Sequence, residues 1–370
     1  GNSPDERNQS PCLSGNAPCE LETKVVASHD RGQYYLQEIT FKTESSPVGT
    51  AIRNFAFRLV PKQITHPTVG IVAIQQTHPG AEQVVGELQD GVPIDPDMDY
   101  ARELALQGYV TIAADIAGQA DDIAWERRRA AGATCFKDPT RSSDACSDGN
   151  RAGSYYDGIY GPPSYAPCQG KPPSECLLNF FYKTALRKHI WDQQRAIDVL
   201  KGATPTLDSY DGSKITKIAV IGHSWGGIIA PFVSALDTRV DLAIASSGLQ
   251  KYAESNETIC NLNYLNVAPC SLPLTRRDLI ALTAPRKLVI NDNKDVEDDM
   301  KSARELVGGP GSWAKWIDPN FGAHEFLCHQ RLEAYREISN LDGTGWTNEW
   351  SCKPDLCSTK APGNEKLCAP

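Results

Sequence analysis

The chain has 370 residues, 40% of them hydrophobic and 22% charged, with a formal net charge of −9. That length allows a large buried core, and no apolar run reaches the roughly 18 residues of a membrane span. A negative balance with no long basic block argues against nucleic-acid binding.

Residues 1–30 are polar, contain proline and carry Cys12 and Cys19, so they read as an irregular, disulfide-pinned arm. Residues 31–342 read as one α/β domain. Tyr34 to Lys42 and Ile52 to Val60 alternate apolar and polar positions, the pattern of antiparallel strands at one side of a sheet. Val69 to Ile74 is a buried strand leading into Gln75-Gln76-Thr77-His78-Pro79-Gly80. A helix is predicted over Asp99 to Gln107, stopped near Gly108, followed by a buried strand from Tyr109 to Asp115.

From about 120 to 178 the periodicity breaks down. This stretch holds Arg127-Arg128-Arg129, four tyrosines (Tyr155, Tyr156, Tyr160, Tyr165) and four cysteines (Cys135, Cys146, Cys168, Cys176). Loops of that length in a compact domain are usually functional, and it reads as a disulfide-stapled insertion over the sheet. Apolar positions at helical spacing return from Leu177 to Leu200.

Ile218-Ala219-Val220-Ile221 then runs into Gly222-His223-Ser224-Trp225-Gly226-Gly227, and an apolar run follows with Pro231 in the first turns of a helix. A buried strand passing through Gly-x-Ser-x-Gly into a helix places the serine on a sharp, strained turn with its hydroxyl exposed above the sheet. Ser224 is therefore the predicted nucleophile. Further strands are predicted at Val240 to Ser246, Lys287 to Ile290 and Trp313 to Ile317, with helices at Ser302 to Val307 and Arg331 to Ile338. Strands alternating with helices imply a mostly parallel central sheet with helices on both faces. Residues 343–370 form a Cys-rich, irregular tail.

A serine hydroxyl needs a base, and the base needs an orienting group. In this topology both lie on loops after later strands, in the order serine, acid, histidine. His324, in Phe321-Gly322-Ala323-His324, is the predicted base, with His329 on the closing helix as the fallback. Asp295 is the predicted acid, with Asp292, nearer the strand end, as the alternative; Asp298 and Asp299 read as a solvated acidic helix start. The oxyanion amides are assigned to Trp225 and to Thr77, or to His78 one place on. His324-Glu325 and His329 only mimic a zinc motif. At a spacing of five, two helix positions point about 140° apart and cannot share a metal. No metal and no cofactor is expected.

Twelve cysteines, mostly in loop-like sequence and with no CxxC pair, imply up to six disulfides formed in an oxidising compartment. Cys12–Cys19, Cys135–Cys146, Cys168–Cys176 and Cys260–Cys270 are close pairs, leaving Cys328 to join Cys352, Cys357 or Cys368. No signal peptide is present, as in a processed secreted form. Asn8-Gln9-Ser10 and Asn256-Glu257-Thr258 have the form of glycosylation acceptors.

These pieces resemble the α/β-hydrolase family, in its dienelactone-hydrolase-like and acetyl-xylan-esterase-like branch. The resemblance spans about residues 65 to 340. It rests on Gln75-Gln76-Thr77, Tyr100-Ala101 through Gly108-Tyr109-Val110 to Asp115, Asp192 to Asp198, Gly222 to Gly227, Ala284-Pro285-Arg286-Lys287 and Gly322-Ala323-His324. Gln75 departs from the histidine usual there. The resemblance implies an α/β-hydrolase fold and cofactor-free ester hydrolysis through an acyl-enzyme. The partner expected is a small-molecule or polymer-linked ester, derived from carbohydrate or a plant polymer, since tyrosines and arginines would wall the pocket. The rival readings are a serine peptidase of the same fold and a non-catalytic binding scaffold.

Overall fold

The computed structural model describes residues 21–45, 51–76, 80–87, 98–116, 185–202, 210–249, 275–292, 295–308, 311–317 and 326–344. Among these, nine strands form a single sheet: β1 (Lys24–Asp30), β2 (Tyr34–Ser45), β3 (Ala51–Pro61), β4 (Val69–Ile74), β5 (Val110–Ala114), β6 (Lys217–His223), β7 (Val240–Ser246), β8 (Lys287–Asn291) and β9 (Ala314–Ile317). Their order is β1-β2-β3-β5-β4-β6-β7-β8-β9. Pairing is antiparallel from β1 to β5 and parallel from there to β9.

The parallel strands read VGIVAI, VTIAA and KIAVIGH because both of their faces are covered. On one face lie α3 (Ala185–Lys201), α4 (Trp225–Leu236), α5 (Arg276–Thr283) and α6 (Asp295–Val307). Ile190, Ile197, Ile229, Ile280 and Met300 pack there on Val72, Val220, Ala243 and Leu288. On the other face α1 (Ala81–Val85), α2 (Tyr100–Leu106) and α7 (Cys328–Ser339) bring Val84, Tyr100, Leu104 and Tyr335 against Ala73, Ile221, Ile244 and Val289. The mostly parallel sheet with helices on both faces is thus present.

The sequence reading errs at the edge. Residues 24–30, assigned to an irregular arm, form β1. Its pattern is too polar to be read alone, and its burial alternates only between exposed and half-buried. The strand is specified instead by a tight turn into β2. There Asp30 accepts the Gly32 N–H at 2.8 Å, Gly32 takes φ +79°, and the Arg31 N–H reaches the Tyr34 carbonyl at 2.9 Å. Two short helices, α1 and α5, also escape the periodicity. Pro231 is the seventh residue of α4, within its first two turns as expected, and leaves the Gly227 carbonyl without its i+4 donor.

The polar residues of α3 secure it to the sheet edge. The Trp191 indole N–H donates to the Thr43 carbonyl at 2.8 Å, and Lys188 donates to the Thr43 hydroxyl at 2.9 Å and pairs with Asp192. Arg195 and Arg239 converge on Asp198, and Arg239 also grips Asp237. The Asp192-to-Asp198 signature is in this way a fastening of α3 to β2 and to the α4–β7 turn. Cys328, the one cysteine among the described residues, is disulfide-bonded, and its partner lies outside them. So do residues 1–20, the insertion at 120–178 and the tail from 345 onward.

Candidate active site

Ser224 sits where the sequence places it, between β6 and α4, partly exposed and with φ 55° and ψ −116°. A non-glycine residue there is strained, and close packing on every side imposes it. A Cβ on Gly222 would fall inside the backbone of Gly226. One on Gly226 would run into the Ile74 carbonyl and lie 2.8 Å from that of Gln75. Gly227 meets the Ser246 carbonyl in the same way. The turn is tied laterally, with the Ser224 N–H on the Ser246 carbonyl at 2.8 Å and the Ser247 N–H on the Asn291 carbonyl at 2.7 Å.

Trp225 is the first residue of α4, at the positive end of the helix. Its side chain is fully buried, donating its indole N–H to His189 Nδ1 at 3.1 Å, edge-to-face at 5.7 Å. A donor on Nδ1 puts the His189 proton on Nε2 and keeps that ring neutral. His189 was not singled out by the sequence; its i, i+36 partnership with Trp225 leaves no local signal.

Strand register sets the rest. His223 pairs with Ser246, and Ser246 with Asn291. Ser224 and Asp292, the next residues, therefore lie two strands apart, about 10 Å at the usual inter-strand spacing. An imidazole hydrogen-bonded at both ends, with its two partner side chains, bridges such a gap. Asp292 is buried, accepts the Leu249 N–H at 2.6 Å through Oδ2, and receives the Trp316 indole N–H on its carbonyl at 3.0 Å. Asp295 is the first residue of α6; its side chain, together with Thr77, His78 and His324, lies outside the described residues. His329 is on α7, half-buried, and burial pushes its imidazole below the ordinary value.

Directly under this edge, on the face of α1, α2 and α7, runs a buried polar row: Gln75, His223, Ser246 and Asn291. Side chains alternate along strands, so one register brings all four together. Ser246 Oγ contacts His223 Nδ1 at 3.0 Å and takes the Asn291 side-chain N–H at 3.1 Å. Both amide atoms of Gln75 are buried with no hydrogen-bond partner among the described residues.

Below that row lies a second charged group the sequence did not reveal. Glu103 on α2, buried, receives Arg331 of α7 at 3.0 and 3.3 Å and the Tyr335 hydroxyl. Burial pushes the Glu103 carboxyl up to about 7 against the pull of Arg331, with Asp99 adding repulsion; burial raises Asp99 as well. A carboxyl whose folded value exceeds its ordinary 4.5 gives stability that is complete below 4.5 and lost as pH rises through about 7. Urea midpoints at pH 5 and pH 8 should therefore fall for the wild type. Glu103→Gln, less stable throughout because Arg331 loses its partner, should show a shallower pH dependence. Parallel slopes would refute this.

No protein-family model matches the chain, and no curated protein matches it in sequence. Its fold is shared with solved structures. A Bacteroides fragilis protein described as an acetyl xylan esterase superposes with a TM-score of 0.59 at 17% identity, covering 85% of this chain and 82% of that one. A glucuronoyl esterase from Solibacter usitatus gives 0.53 at 14%, covering 88% and 87%. A glucuronoyl esterase from Teredinibacter turnerae gives 0.52 at 18%, covering 89% and 80%. The sheet order, the strand–serine–helix turn and these likenesses together identify the fold of the chain as the α/β-hydrolase fold.

Proposed function

We propose that the protein is a serine ester hydrolase of the extracellular or periplasmic space, acting on carbohydrate-linked carboxylic esters. The strained turn holding Ser224 at the mouth of α4 carries the reading. The esters named for the structural neighbours support a sugar-linked substrate. The bonded Cys328 supports an oxidising compartment.

In this reading Ser224 Oγ attacks the ester carbonyl as His324 takes its proton. The oxyanion is held by the N–H groups of Trp225 and Thr77. The imidazolium returns the proton to the departing alcohol. Water then attacks the acyl-enzyme, with His324 again as base, and the carboxylic acid leaves.

The test is turnover of p-nitrophenyl acetate, acetylated xylo-oligosaccharides and an alkyl ester of glucuronic acid, alongside labelling by a fluorophosphonate. Labelling at Ser224 with turnover of a sugar ester is expected. Labelling with cleavage of peptides alone would favour a peptidase, and neither labelling nor turnover would overturn the proposal.

For the acid, the sequence favours Asp295. The clamped, buried carboxylate of Asp292, two strands from Ser224, favours a second reading. Asparagine at the true acid should lower kcat by roughly 10⁴-fold, because the imidazole is then held in the wrong tautomer. The other variant should stay within about tenfold of the wild type. Similar losses in both, or in neither, would remove the acid from this loop pair.

A further inference from the structure

Arg331 is fully buried, and its third hydrogen bond goes to the Phe326 carbonyl, in the segment leading into α7. Phe326 comes two residues after His324. Its ring, also fully buried, lies parallel to that of His223, the residue before Ser224, at 6.1 Å and 7°. The same ring meets Tyr100 edge-on at 5.9 Å, and the Tyr100 hydroxyl donates to the Ile74 carbonyl at the end of β4. That carbonyl is the atom against which Gly226 closes. One buried assembly thus touches the serine turn, the end of β4 and the segment after β9, and the guanidinium is anchored from behind by Glu103 and indirectly by Tyr335.

We propose that Arg331 is a positioning residue of the active site: by holding the Phe326 carbonyl and seating the Phe326 ring on His223, it fixes the residue two places after the predicted base against the residue just before Ser224. The inference rests on the reading of His324 as general base. A planar fork with several fixed donors suits this task, since it spans Glu103 and a backbone carbonyl at once; the single ammonium of lysine cannot reproduce that geometry. Its effect belongs to kcat, because displacement of a base by about 1 Å can cost on the order of 10²-fold in rate while ground-state binding is retained.

The experiment compares wild type, Arg331→Lys, Arg331→Met and Phe326→Leu, each assayed at a temperature where circular dichroism shows it fully folded. Arg331→Met strands a buried carboxylate and risks unfolding. Phe326→Leu leaves the charges paired and removes only the ring contact. Expected are losses in kcat of roughly 10²-fold for Arg331→Met and roughly tenfold for Arg331→Lys and Phe326→Leu, with KM within about twofold. The acidic limb of the kcat/KM profile should move to lower pH, because an imidazole that drifts from its carboxylate loses the charge favouring its protonation. Wild-type kcat and an unmoved limb in folded Phe326→Leu and Arg331→Lys would overturn the proposal, leaving Arg331 a stability element. A wild type with neither turnover nor labelling at Ser224 would instead overturn the hydrolase reading, and this inference with it.

Discussion

Ser224→Ala is expected to lower kcat by roughly 10⁵–10⁶-fold and to abolish fluorophosphonate labelling, with melting temperature nearly unchanged. Members of a nucleophile–base–acid set act as a unit, so removing the attacking oxygen forfeits almost all of the benefit of the others. A methyl group in place of CH₂OH fits the same space. The backbone supplies a second, independent readout. At φ 55° and ψ −116° a residue with a Cβ is strained by about 1–3 kcal/mol, and glycine escapes most of that cost. Ser224→Gly should accordingly be inactive yet more stable than Ser224→Ala by about 1 kcal/mol. Equal stabilities would mean that the turn is not strained, and substantial esterase activity in either variant would place the nucleophile elsewhere.

Gly226→Ala should be strongly damaging to both stability and rate. Its Cβ would collide with the Ile74 carbonyl and come within 2.8 Å of the Gln75 carbonyl, both backbone atoms of a central strand end. A side chain could rotate away, whereas these can yield only by moving α4 off β4. A cost of about 3 kcal/mol is expected from such overpacking. A loss in kcat of roughly 10²–10³-fold should accompany it, since the Trp225 amide proposed to hold the oxyanion would shift with the turn. Gly308→Ala is the matched control. Unlike Gly226, which is helical, it has a positive φ, 71°, and it has nothing within 4 Å of its added carbon, so it carries backbone strain without a collision. It should cost about 1 kcal/mol and leave activity intact. Urea midpoints and kcat measured on both would separate the two causes, and Gly226→Ala no worse than Gly308→Ala would refute the close-packing account.

The parts of this protein that the sequence determined are those governed by local pattern. Continuous apolar runs predict strands covered on both faces, and β4 and β7 begin and end where the runs do. Glycines flanking Ser224 predict a turn too tight for a Cβ, and the backbone collisions at Gly222 and Gly226 are the physical form of that rule. The place of the loop after β8 follows from strand order, because register carries Asp292 to the level of Ser224.

Tertiary structure alone decided what depends on distant partners. β1 is a strand through its pairing with β2, not through its own residues. Glu103 and Arg331 are 228 positions apart, and no local pattern couples them; burial turns them into a clamp behind Phe326. Trp225 looked like the donor of one backbone N–H, and the fold gave its indole to His189. Pattern reports which face of an element is apolar. Which buried charge meets which is set by how elements stack, and that information lies in no window of the chain.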